Sequence, residues 1–267
     1  MKKYLSFFRI RFVAGLQYRA AAWAGIATQF AWGAMTILMF HAFYQNGSNV
    51  FPMEFRALST YIWLQQSLLA LFMAWSFDNE IFESITTGAV AYELCRPCGI
   101  YIMWFVKNMA LRLARVALRC VPILVVAAFL PAPFGMTLPV SPEAGGLFVI
   151  SLGMGFLVMI AFVMLIYASV FYTLSPTGIR ALTATIVEFL SGALIPIPFH
   201  PQELQRILNI LPFASMQNTP FLIYTGHLST AEALERMGLQ VLWLGGLVCL
   251  GVLLINRVLK KVVIQGG

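Results

Sequence analysis

Long uncharged runs separated by short polar breaks dominate the pattern of this chain. A helix needs about 20 mostly apolar residues to cross the hydrocarbon core of a bilayer. Runs of that kind fall at roughly 22–44, 57–77, 108–131, 146–174, 181–199 and 237–256. The pattern predicts an all-α integral membrane protein with six transmembrane helices, built as a single domain over 1–267. The breaks carry turn chemistry: Tyr44-Gln45-Asn46-Gly47-Ser48 after the first run, a Pro-rich loop from Pro131 to Pro142, and Ser175-Pro176-Thr177-Gly178 after the fourth.

One break is too long and too polar for a turn. The stretch from Asp78 to Pro97, DNEIFESITTGAVAYELCRP, holds four of the chain's ten acidic residues and follows an uncharged run. Asp78, Glu80 and Glu83 fall in the first turns of a predicted helix, where negative charge complements the backbone dipole. Phe77, Ile81 and Ile85 recur every four residues with Phe82 beside them, which makes an apolar ridge. Gly88 suits the end of that helix, and Pro97 disfavours helix at Arg96. The expected product is a short amphipathic helix outside the lipid.

Two further patterns refine the layout. Leu5, Phe8, Phe12 and Leu16 follow helical spacing with Arg9 and Arg11 off the stripe, so residues 1–21 read as an interfacial helix on the inner leaflet. No signal-peptide core is expected there, because the segment is basic and aromatic throughout. The third run carries Arg112, Arg115 and Arg119 at i, i+3 and i+7. Three arginines facing lipid at mid-depth would be costly. The helix is therefore expected to begin outside the core and enter it near Val116, with this stripe facing phosphate or a partner. After the fifth run, SGALIPIPFHPQEL and the uncharged but polar stretch 207–226 predict re-entrant or interfacial helices over 200–226, where broken backbone must be buried in protein.

Composition agrees with the pattern: 60% of residues are hydrophobic and 10% charged, against about half and a quarter in soluble domains. The net charge of +7 would suit nucleic acid, but its distribution argues for topology instead. With a cytosolic N-terminus, 14 of the 17 Lys and Arg residues fall inside and only Arg56, Arg206 and Arg236 fall outside. Both termini are then cytosolic in a cell or inner membrane, and no nucleic-acid partner is implied.

Chemistry for catalysis is missing. No phosphate-binding G-x-x-x-x-G-K-[ST] loop surrounds any lysine, so the chain is not expected to bind ATP by that route. His41, His200 and His227 are scattered without ligand spacing. Cys95-Arg96-Pro97-Cys98 stands alone, lacking a redox or zinc context. No catalytic, cofactor or metal site is expected. The sharpest residue is Glu188, about 12 Å along a helix from Arg180. It either lines a polar path or pairs with Arg119 or a partner chain. Gln65 and Gln66, at mid-depth of the second run, carry the same ambiguity.

Four segments in order give the chain a family likeness: KKYLSFFRIRF at the start, EIFESITTGAVAYELCRP after the second run, LSGALIPIPFHP at the end of the fifth, and LPFASMQNTPFLIYTG before the last. The chain resembles the permease subunits of type-2 ABC transporters, the export class. The second segment is similar to that family's coupling helix, with Leu94-Cys95-Arg96-Pro97 as the Leu-x-x-Pro step. The resemblance implies two permeases, identical or different, paired over two separate ATPase subunits that bind ATP and magnesium. It implies docking through Glu80, Ile81, Phe82, Glu83, Ser84, Ile85 and Gly88, with the apolar ridge as the anchor. Gln65, Gln66, Thr185, Glu188 and Ser191 are the expected substrate-path residues. The alternative is a secondary transporter driven by an ion gradient, which predicts inverted repeats and broken mid-membrane helices. No such repeat is visible.

Overall fold

The structure is a computed structural model that describes residues 2–46 and 51–260. Gly47 and Ser48 of the first turn cluster, and Lys261, lie outside the described residues. The described chain is helical, with no strand among them: α1 (Lys2–Leu16), α2 (Arg19–Asn46), α3 (Phe55–Phe72), α4 (Asn79–Thr86), α5 (Val90–Leu94), α6 (Ile100–Phe129), α7 (Pro142–Thr173), α8 (Pro176–Leu190), α9 (Gln202–Ile210), α10 (Pro212–Met216), α11 (Asn218–Tyr224) and α12 (Thr230–Leu259).

Local chemistry explains where these helices begin and end. Ser141 caps α7 by accepting from the Ala144 amide at 3.0 Å, and Pro142 occupies the first turn, where its missing N–H costs nothing. Ser229 and Glu232 form a reciprocal capping box at the start of α12. Gly192, at φ +77°, turns the chain just after α8, a conformation a side chain would strain.

Three helices, α2, α7 and α12, are long and apolar enough to cross a membrane. The other three expected crossings depart from that standard for visible reasons. α3 has 18 residues and includes Arg56, Gln65 and Gln66. α6 is long but carries Lys107, Arg112, Arg115 and Arg119. α8 has only 15 residues, so the run expected over 181–199 is not one helix: it ends at Leu190 and gives way to short pieces.

α7 is the hub. Val158, Met159, Ile160, Ala161, Val163, Met164, Tyr167 and Ala168 are all fully buried, because α4, α6, α10, α11 and α12 pack around it. α2 and α3 lie against each other and against α6. Gly155 on α7 lets the α10 backbone come close: a Cβ there would stand 2.0 Å from the Met216 carbonyl oxygen.

The N-terminal helix lies against the bundle. α1 packs lengthways and parallel to α6, from Tyr4, whose hydroxyl accepts from the Gly99 amide at 3.2 Å, to Gly15, which meets Ala114. Leu5 of the expected apolar stripe is 70% exposed, while Phe8 and Phe12 stack at 5.7 Å.

Candidate functional site

The polar segment folds as its sequence dictates. Asp78 caps α4 by accepting from the Glu80 amide at 2.9 Å, a bond that replaces a missing intrahelical partner. Gly88 closes it at φ +76°. The apolar ridge, however, does not face outward. Ile81, Phe82 and Ile85 are buried in their own chain, with Phe82 edge-on to Tyr167 of α7 at 5.0 Å. Ser84 is buried too and donates to the Ile81 carbonyl. This corrects the expectation that the ridge anchors an outside partner: hydrophobic burial ties α4 to α7 instead. The face left uncovered carries Glu83, Thr86 and Thr87.

A charged knot fixes this segment to α1 and α6. Lys107, buried on α6, lies 3.0 Å from the Asp78 carboxylate and 2.7 Å from that of Glu80. Arg11 of α1 reaches Glu80 at 3.0 Å. Hydrogen bonds from Lys107 and then Arg11 pull the Glu80 pKa down to about 2, because donors to a carboxylate favour its charged form. The Asp78 amide donates to the Tyr167 hydroxyl at 2.9 Å, and that hydroxyl donates to Asn108 Oδ1 at 3.1 Å. Arg180, at the start of α8, sits over the rings of Phe77 and Phe82 at 5.6 and 5.4 Å and donates to Asn79. Lys3 donates to the Pro97 carbonyl, so α1 holds the segment at both ends.

One arginine of the stripe resolves differently from expectation. Arg112 is fully buried and faces neither phosphate nor a partner. Its guanidinium donates to the carbonyls of Leu71 at 2.9 Å, Met73 at 3.0 Å and Ser76 at 2.8 Å. The last carbonyls of a helix lack intrahelical partners, and here a planar fork supplies them at the end of α3. Arg115 donates to the Ser76 hydroxyl. Arg119 reaches the Ala21 carbonyl at 3.4 Å and lies on Gly25 of α2, so it does not pair with Glu188.

The expected path residues turn to different neighbours. Gln65 is buried and donates to the Ala193 carbonyl just beyond α8. Ser191, also buried, accepts from Gln217 Nε2 at 3.0 Å. Both serve a neutral network that holds the broken chain after α8, together with Tyr61, whose hydroxyl donates to Asn218 Oδ1 at 3.0 Å. Gln66 lies against Gly33 of α2. Thr185 is exposed and donates to the Ala181 carbonyl of its own helix. Glu188 is half-buried on α8, with no hydrogen bond or ion pair among the described residues.

Sequence reasoning missed Lys107, Arg11, Asn108, Tyr167 and Arg180 as partners of the polar segment. Lys107, which ends the apolar opening IYIMWFV of α6, was the one local signal available.

A search of curated proteins gave no match. The family described as ABC-2 family transporter protein matches residues 30–266, which takes in every helix from within α2 to α12 and the whole polar segment. With its helical, membrane-span-like architecture and a match over most of its length, the chain belongs to the ABC-2 family of transporter proteins and is a transmembrane permease of the ABC class.

Proposed function

We propose that this chain is one of two permeases in an ATP-driven exporter and that its polar segment receives the stroke of separate ATPase subunits. The observation that carries this reading is the build of α4. Its ridge is buried on α7, its cap is ion-paired to α6, and its other face is left bare. A surface loop with no mechanical task would not need such anchoring. A lever that passes force into the hub helix does.

In this reading the polar segment and both termini are cytosolic, and six helices cross the membrane: α2, α3, α6, α7, α8 and α12. The short α8 does so with the pieces after it, α9 to α11, folded back at the outer side. Docking falls to Glu83, Thr86 and Thr87, with Gly88 shaping the turn, rather than to the buried ridge. Glu80 is engaged within the chain and holds the lever. ATP and magnesium belong to the ATPase partner. Glu188 supports a path along α8: an acid at that depth needs a partner or water, and a second permease or a hydrated passage supplies one.

Docking is tested by co-purification with the cognate ATPase. Glu83→Arg combined with Thr86→Arg should abolish it while the permease stays folded, and retained ATPase binding would sink the proposal. Glu188→Gln should leave ATPase binding intact and lower substrate-stimulated ATP hydrolysis. Unchanged stimulation would remove Glu188 from the path.

A further inference from the structure

A cleft of about 780 Å³ opens between α1, the start of α2, α6 and the polar segment. Five cationic side chains line it, against two carboxylates. Those carboxylates are already engaged: Asp78 by Lys107, and Glu80 by Lys107 and Arg11. That leaves the guanidiniums of Arg115, Arg119 and Arg180 on the cleft without an ion-pair partner among the described residues. Their bonds go to a serine hydroxyl, a backbone carbonyl and an asparagine amide oxygen, all uncharged.

Part of the remaining wall is apolar, beside the polar groups of Tyr18, Ser76 and Asn79. Ala21, Ala22 and Leu118 line it where α2 begins its long apolar run, and Trp75, 46% exposed, stands at the margin. Tryptophan is enriched at the level of lipid head groups. Arg119 lies along α2 because Gly25 leaves room: a Cβ there would come within 2.5 Å of the guanidinium carbon. Net positive charge beside an apolar wall matches a molecule that has an anionic head and hydrocarbon tails. A protein carboxylate would use the charge and leave the apolar wall unexplained.

We propose that this cleft binds the phosphate of an anionic phospholipid, with Arg115 and Arg119 as the principal contacts and Arg180 at the rim. Guanidinium groups match phosphate oxygens in pairs. The site lies between α1 and the polar segment, so a bound head group would brace the lever against α6.

Native mass spectrometry of the purified permease in mixed micelles tests this, with phosphatidylglycerol, phosphatidylcholine and inorganic phosphate as probes. The wild type should retain phosphatidylglycerol in preference to phosphatidylcholine. Each basic residue near an anionic head group is worth about 5-fold in binding, so Arg115→Gln with Arg119→Gln should lose about 25-fold. Arg206→Gln, on an exposed pair with Glu203, should lose nothing. Arg180→Gln gives a second reading at the rim, away from the α3 junction, with a loss of about 5-fold. Equal retention of the two lipids overturns the proposal, as does unchanged retention in folded double and rim variants. Saturable displacement of phosphatidylglycerol by millimolar inorganic phosphate would make the ligand a soluble phosphate and overturn the lipid assignment.

Discussion

The two ends of this bundle hold interrupted backbone in opposite ways. Where α3 stops and the polar segment starts, the chain is tied by charge: Arg112 on three carbonyls, and Lys107 between two carboxylates. Where α8 stops and the short helices follow, it is tied by neutral groups. Gln240 donates to the carbonyls of Ser151 and Ser215 and accepts from the Ser151 hydroxyl at 3.0 Å, while Gln65, Ser191 and Gln217 bind around the α8 break. Buried charge is costly unless fully engaged. Arg112 and Lys107 are both buried, and carbonyls and carboxylates supply their partners. Neutral amides suit a break enclosed by protein at membrane depth. The contrast suits the proposed machine, driven from its charged end.

Removing the fork at the charged end should have the largest effect. Arg112→Gln leaves carbonyls at the α3 terminus unpaired, each worth about 1–3 kcal/mol. A loss of about 3 kcal/mol is expected in a thermal or denaturant melt in detergent, and Arg112→Lys should recover only part of it. At the neutral end, Gln240→Leu removes three hydrogen bonds between helices, which average about 0.6 kcal/mol each within membranes. The expected loss is about 2 kcal/mol. If Gln240→Leu proved the more damaging of the two, the contrast drawn here would be reversed.

The smallest effect belongs to Glu80, whose side chain is 63% exposed. Exposed pairs contribute under about 1 kcal/mol. Its signature is pH dependence. The folded-state pKa is depressed to about 2, so the stabilisation is complete above the ordinary carboxylate range, near 4.3, and fades as pH falls toward 2. Between pH 5 and 2.5, wild type should lose its margin over Glu80→Gln. A constant gap would show that the Lys107 and Arg11 contacts do not carry it.

Much of this layout was legible in the sequence, and the illegible part has a common cause. The short helix after Asp78 and its stop at Gly88 follow from local residue chemistry, and the structure has both. The amphipathic ridge showed that α4 buries one face, but periodicity cannot say against what, and the answer was Tyr167 on α7. Arg112 looked like a surface stripe because its partners are backbone carbonyls, which leave no mark in the residue pattern. Asp78 and Lys107 meet only because the chain returns through α5 into α6, and Arg11 meets Glu80 only because α1 lies along α6. Gln65 and Ser191 were expected on the substrate path, and in the structure both bind around the broken backbone after α8.

The bare face of α4 is the point at which the account is most exposed. A single cysteine at Thr86, in a background with Cys95, Cys98, Cys120 and Cys249 replaced by serine, can be tested for disulfide cross-linking to cysteines placed across the surface of the cognate ATPase. The account predicts a cross-link whose yield changes between the nucleotide-free and ATP-bound states, and none from a cysteine at the buried Ile85. Cross-linking from Ile85 but not Thr86, or from neither, would contradict it.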